Sequence, residues 1–444
     1  MLTEQDYRNA LVTRHHFWNA LSPTVVRQRI DQLLLSPDCE ALVQALSPVE
    51  YVVLLKEAPE MRPQLLQLAQ PQQIRLVLDL DCWHKDTLQG TRLMEWLEEL
   101  QRSGVEVFAQ VLRELDLEML IVFLRQHIRV HGALPPEEED EPKHYDEVLA
   151  NELYRIEFVE PENALNARVY SLLKFMRLAD LDLYYHLMQG AMWEQDNELQ
   201  EQAYRWKSGR LQDEGFADYY ETLETYLMVD LERVVPAPTT LLSSPGIPES
   251  VAGSGLVPSY AWSLTPPGSL LAQALANDFS AETLERICWE MVYLCNGAFV
   301  YDQVDFGTAA AVRTSLQRVH ARLNIGIGYL SGGHTQQLAH LLTKYALQFI
   351  YQVGFTLVMR LHQRANRIHL HLTRTTGVRR ALPGMAHYVL AGLLHRHPQF
   401  FEGLAEPAEM GYRDFLSVQD MALVDPILQQ LETDPTYRLH QSDA

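Results

Sequence analysis

The chain has 444 residues, 47% of them hydrophobic, and a formal net charge of −22. That length exceeds what one hydrophobic core serves and calls for two or three domains. The negative charge excludes general nucleic-acid binding by the whole molecule and favours solubility.

The polar start, Met1–Arg8, is not that of a signal peptide. Residues 1–134 read as a superhelical domain of short helices. Three of these open alike, at Ser22-Pro23, Ser36-Pro37 and Ser47-Pro48. A Ser side chain accepts from the free N–H groups of a first turn, and Pro at the first helical position loses nothing. Ser47-Pro48-Val49-Glu50 has capping-box spacing. Between breaks at Pro59, Pro63 and Pro71 run apolar pieces at Ala41–Leu46, Val49–Leu55, Leu65–Leu68 and Ile74–Leu80. Helices this short are marginal alone but can stack into a continuous core. Longer helices are predicted at Thr87–Gln101, Val105–Leu112 and Glu118–Val130.

Pro135-Pro136 followed by five consecutive acids opens an acidic linker, 135–162. A helical middle section, 163–235, includes Ala164–Arg177, Asp180–Trp193 and Tyr219–Leu231. A Pro/Ser-rich linker at 236–258 leads to an Arg/His-rich helical domain, 259–444. There, helices are predicted at Leu270–Ala276, Ala281–Leu294, Thr308–Leu330, Thr335–Arg364, Ala386–His395 and Val418–Leu431. Ala346–Met359 is the longest apolar stretch; at 14 residues it is too short to cross a bilayer and reads as a core helix. No alternating strand of useful length stands out, so the predicted fold is all-α.

Three stretches of the chain resemble a known family. They are Glu201–Phe216 with Asp218–Tyr226, then Leu323–Gly333 with Phe349–Gly354, then Tyr412-Arg413-Asp414-Phe415. Together they resemble an uncharacterised bacterial family, domain of unknown function 6178. The resemblance spans most of the chain and implies no activity or catalytic residue. Separately, Cys39 to about His131 is similar to the cytosolic helical N domain of bacterial magnesium transporters and to the helical middle region of a flagellar switch protein. Short helices broken by Pro and acidic caps carry that likeness; without the transporter's membrane part it implies no transport.

Known chemical motifs are few. The P-loop, H-E-x-x-H and G-x-S-x-G patterns do not occur. Gly326-Ile-Gly328-Tyr-Leu-Ser-Gly332 is one residue off the dinucleotide fingerprint but follows a helix, so Gly332-Gly333 reads as a left-handed C-cap. His127 and His131, four apart on the predicted helix, could reach one metal. Asp79, Asp81 and Asp86 could suit a hard cation. Helix-end roles explain both sets more simply, and no metal or other cofactor is expected. The four cysteines, Cys39, Cys82, Cys288 and Cys295, form no C-x-x-C pair and suit a reducing cytoplasm.

The strongest signal is electrostatic. From Phe306 to Phe401 there is no Asp and no Glu, against ten Arg, one Lys and nine His. An even share of the acids would place about 13 there. The rest of the chain holds 25 Lys and Arg against all 58 acids. Arg318 and Arg322 share one helix face with His320 a little to one side, and Arg360, Arg364 and Arg367 share another. Antiparallel packing of their two helices would bring the sets together. These six residues are the candidate site for an anion or an acidic partner, with His320 or His362 as acid–base candidate should the site be catalytic. Nearby aromatics sit at core spacing, so nucleic acid is not an expected partner. The leading expectation is a non-enzymatic cytosolic interaction or regulatory protein with a helical-repeat surface and a cationic C-terminal face. The alternative is a C-terminal domain that takes a phosphorylated or carboxylate ligand through its Arg/His cluster, as a binding module or an enzyme.

Overall fold

The structure, a computed structural model, describes residue 30 and residues 33–132, 147–149, 153–193, 196–233, 260–263, 265–306, 308–332, 334, 338–375, 382 and 384–433. The fold is all-α, with a few short strand pairs. Ser22-Pro23, the acids 137–141 and the linker 236–258 lie outside the described residues. Two compact units form. One takes the described residues of 20–216 with 303–312, the other those of 217–302 with 313–444. The expected middle section, 163–235, is therefore shared between them, changing unit after Phe216.

The first unit opens with α1 (Cys39–Gln44), α2 (Pro48–Glu57), α3 (Arg62–Leu68) and α4 (Pro71–Asp81). It continues with α5 (Gly90–Ser103), α6 (Val105–Glu114) and α7 (Leu117–His127). Ser47 and Glu50 form the expected capping box: the Glu50 amide donates to Ser47 Oγ, and the Ser47 amide to Glu50 Oε2 at 3.0 Å. Ser36-Pro37 does not open α1; Asp38 holds the N-cap position instead. From α1 to α6 each helix packs against the one two places on, α1 on α3, α2 on α4, α3 on α5 and α4 on α6. Their apolar faces supply the core, including Tyr51, Leu55, Leu65, Val77, Leu97 and Phe108. Long polar side chains satisfy carbonyls left over at helix ends. Gln73 Nε2 donates to the Val43 and Leu46 carbonyls, both at 3.0 Å, and Gln67 Nε2 to that of Ser103 at 2.8 Å. Gly104 turns the chain between α5 and α6 at φ +113°, which favours glycine.

Strands appear where none stood out in the sequence. β1 (Trp83–His84) and β2 (Thr87–Leu88) make a hairpin. β3 (Ile128–Gly132), β4 (Glu147–Leu149) and β5 (Tyr154–Phe158) form a sheet in the order β3-β5-β4, all antiparallel. The helix expected to run to Val130 therefore ends at His127, and strands occupy part of the stretch read as acidic linker. Each strand has at most five residues, too few for period-two alternation to stand out against a helical background. The unit closes with α8 (Asn166–Ala179), α9 (Leu181–Trp193), α10 (Asp196–Asp213) and residues 303–312, where Glu57 accepts from the Ala309 amide at 3.0 Å.

The second unit contains α11 (Tyr219–Thr225), α12 (Tyr260–Ser263), α13 (Leu270–Leu275), α14 (Ala281–Asp302) and most of α15 (Ala309–Ser331). Then come α16 (Leu338–Lys344), α17 (Leu347–Thr375), α18 (Ala386–Leu393), the antiparallel pair β6 (Gln399–Phe401) and β7 (Tyr412–Asp414), and α19 (Val418–Thr433). Its core gathers Ile325, Val358, Ile368, Leu393, Phe400 and Leu428. The single helix expected over Thr335–Arg364 is interrupted between Lys344 and Leu347 by a pair on α14. Arg286 donates to the Leu342 carbonyl at 2.7 Å, Glu290 accepts from the Leu347 amide at 2.8 Å, and the two side chains bond at 2.6 Å. One helix is thus ended and the next begun by the same pair.

Candidate functional site

The second unit holds a charged cluster built on α15. Helices α15 and α17 cross with almost no space between their backbones. A Cβ on Gly326 would lie 2.0 Å from the Ile350 carbonyl oxygen, and one on Gly354 would lie 1.9 Å from that of Arg322. The contacts pair 322 with 354 and 326 with 350, so the helices run antiparallel, as expected. Gly326 and Gly328 are helical, not a phosphate loop, and Gly332 ends the helix region at φ +57°. This crossing fixes where Arg318 and Arg322 stand.

Arg318 Nη1 donates to Asp302 Oδ2 at 2.7 Å, and Ser315 Oγ donates to the same oxygen at 2.9 Å. On its other side, Arg318 Nε stands 3.5 Å from Asp414 Oδ1. His397 Nε2 lies 3.3 Å from Asp302 Oδ1. Burial pushes this imidazole down to about 4, and the positive Arg318 pushes the same way. Ser315 and His397 thus engage different oxygens of Asp302.

Arg322 is 3% exposed. Burial lowers its pKa, with the Asp414 carboxylate pulling the other way. Its Nη1 has no hydrogen-bond partner among the described residues, nor have Arg318 Nε, Asp302 Oδ1 and Asp414 Oδ1. Tyr351 is buried beside it, and Tyr226 stacks on Tyr301 with ring centroids 3.5 Å apart. Burial raises the Tyr226 and Tyr351 hydroxyls above the ordinary phenol range.

β7 aims Asp414 at Arg318. Successive strand residues face opposite sides, and Arg413 is held on the other by Asp420 through two bonds of 2.8 Å. Asn324 adds a brace, accepting from the Leu270 amide at 2.8 Å and donating to the Leu416 carbonyl at 2.7 Å.

A model of a family of unknown function, DUF6178, matches residues 7–435. The chain belongs to DUF6178. No curated protein and no solved structure matches it. Some of the segments whose sequence resembles the family border the cluster. Asp218–Tyr226 ends on the stacked tyrosine, Leu323–Gly333 and Phe349–Gly354 make the helix crossing, and Tyr412–Phe415 supplies Asp414. In the first unit of this DUF6178 chain, Glu201–Phe216 supplies Arg210, whose guanidinium binds Asp79 at 2.7 and 2.9 Å and Asp116 at 2.8 and 2.6 Å.

The six arginine and histidine candidates divide. Arg318 and Arg322 share the cluster. Arg364 pairs with Glu432 through two bonds of 2.9 Å and with Asp425. Arg360 and Arg367 are exposed on α17 and meet no carboxylate among the described residues. His320 is buried, with Nδ1 3.3 Å from Thr265 Oγ1. His362 is bonded at both nitrogens, to the Leu393 carbonyl at 2.6 Å and to Asn366 at 2.7 Å. The imidazole beside the arginines is His397, one of the nine histidines of the acid-free stretch. Asp302 and Asp414 lie outside the acid-free stretch, with other acids nearer its ends, and nothing in the sequence singled them out.

Neither cation set keeps its spacing. His127 ends α7 while His131 sits on β3, so they are not one turn apart on a helix. Asp79 is taken by Arg210. Asp81 accepts from Lys56 at 2.5 Å, Arg92 at 2.8 Å and Trp96 Nε1 at 2.7 Å.

Proposed function

We propose that this is a non-enzymatic interaction or regulatory protein of the cytoplasm, with a cationic face on α17 for an acidic protein partner. One observation carries the reading. Arg318 and Arg364 are neutralised by carboxylates from outside the acid-free stretch, while Arg360 and Arg367 meet none among the described residues. Seven residues apart, these two stand on one helix face, about 10 Å from each other. The stacked helices α1–α6 offer a second, repeat-like docking surface. Free cysteines at Cys39, Cys82, Cys288 and Cys295 fit a reducing compartment. No helix among the described residues is long and apolar enough to cross a membrane.

The test is charge reversal. Arg360→Glu with Arg367→Glu should leave the unfolding midpoint unchanged, since both side chains are exposed. The wild-type chain should retain a partner from native lysate at low salt, cross-linked at α17, and the reversed chain should release it. Capture undiminished by reversal would remove this reading.

A further inference from the structure

The end of α11 and the residues after it are tied to α17. Gln352 Nε2 donates to the Glu224 carbonyl at 2.8 Å, and the Val229 amide donates to Thr356 Oγ1 at 2.9 Å. Gln363 Nε2 donates to Met228 Sδ at 3.3 Å. At about 100° per residue, Gln352, Thr356, Gln363 and Leu370 fall along one line of α17. Residues 224–229 lie along that line, and Thr356 is accordingly fully buried.

What the segment turns outward is apolar. Leu227 is 59% exposed and Met228 40%, and Leu370, 51% exposed, continues the row beyond Gln363. Arg360 and Arg367 stand about 40–60° round α17 from the same line, one turn to either side of Gln363. Both are exposed, and neither meets a carboxylate among the described residues. An apolar row and a cationic row therefore run side by side. Scattered exposed apolar residues are ordinary, but a row of them against charges has the composition of an interaction site.

The spacing selects the occupant. About 10 Å separates Arg360 from Arg367 along α17, which matches positions seven apart on a second helix laid beside it. On an extended strand, side chains of one face recur at about 7 and 14 Å and match neither. A negatively charged membrane surface fits worse. Such surfaces hold clusters of about 4–8 basic residues. This face offers two arginines on a chain of net charge −22, with Glu224 and Glu232 exposed on the adjoining segment.

We propose that this face takes an amphipathic helix of an acidic partner. Two carboxylates seven residues apart meet Arg360 and Arg367, and apolar side chains between them cover Leu227 and Met228. The inference rests on the acidic partner proposed for α17 and adds the partner's form.

The probe is a fluorescein-labelled, end-capped, Ala-rich helical peptide of about 18 residues. It carries two Glu seven apart, with Leu three and four places after the first. Fluorescence anisotropy at low salt should show saturable binding to the full chain. Arg360→Glu with Arg367→Glu should weaken it at least about tenfold, and Leu227→Ser with Met228→Ser at least about fivefold. Should the serine pair disturb folding, Leu370→Ser tests the same row. Absence of binding overturns the proposal. So does equal binding of a peptide with the same residues scrambled, or equal binding to vesicles of phosphatidylglycerol and phosphatidylcholine, which marks a lipid surface. Loss on charge reversal with none from the serine variants removes the amphipathic helix and leaves the acidic partner standing. Capture from lysate undiminished by charge reversal removes both.

Discussion

The carbonyl oxygen of Arg322 occupies the space a side chain on Gly354 would need: a Cβ there would lie 1.9 Å from it. Backbone cannot rotate away as a side-chain tip can, so Gly354→Ala must part α15 from α17. Alanine gains about 1 kcal/mol of helix propensity over glycine. Overpacking of this kind costs about 1–3 kcal/mol, and a backbone clash belongs at the upper end. The expected net result in urea unfolding is a loss of about 2 kcal/mol. Gly209 on α10 is the control: a Cβ there meets nothing within 4 Å, so Gly209→Ala should stabilise by about 0.5–1 kcal/mol. Equal effects at the two sites would refute the crossing.

Arg210 makes four bonds of 2.6 to 2.9 Å to two carboxylates and is 15% exposed on its side chain. Those carboxylates hold the guanidinium charged, raising its pKa against the effect of burial. Removing it strands two acids, one of them almost fully buried. Arg210→Met should cost about 3–5 kcal/mol in denaturant unfolding. Arg102, paired with Glu99 at 2.8 Å but 64% exposed, should cost less than about 0.5 kcal/mol as Arg102→Ala.

Glu290 has one oxygen on Arg286 and the other on the Leu347 amide. Glu290→Gln keeps an acceptor for only one of them and sets an NH2 against the other donor. The expected loss is about 1–2 kcal/mol. Hydrogen exchange should quicken first in the opening turn of α17, because the amide freed is there. Protection unchanged at Leu347 while global stability falls would contradict this role.

The legible parts of the sequence were those set by local rules. Ser47-Pro48-Val49-Glu50 announces a capped helix because its donors and acceptors are all within four residues. Arg318 and Arg322 announce a shared face because helical period places them there. The break before Leu347 was hidden, since its cause lies on α14, more than fifty residues earlier. Asp302 and Asp414 were hidden for the same reason. The acid-free stretch implied counter-charges from outside it, but which carboxylates reach Arg318 depends on β7 pairing with β6 and on two glycines letting α15 and α17 touch. The glycines were visible; their role was not, because a helical glycine gives no sign of the backbone it faces.

His320 gives the fold a defined response to acid. It is 1% exposed, and burial lowers its pKa to about 4, a hydrogen bond to the backbone of Ala261 opposing. In the unfolded chain the imidazole titrates near the ordinary value of about 6.5. Below that pH the unfolded state takes a proton that the folded state refuses. Its contribution is therefore whole above about pH 6.5, falls as pH drops, and is gone below about pH 4. The gap between the two pKa values corresponds to about 3 kcal/mol. Other groups titrate over the same range, including His397, whose folded pKa is also about 4. The comparison must therefore be with His320→Gln, which stays neutral throughout. Between pH 7.5 and pH 4, wild type should lose about 3 kcal/mol more in urea unfolding than the variant does. Parallel pH curves for the two would mean that His320 reaches solvent in the folded protein.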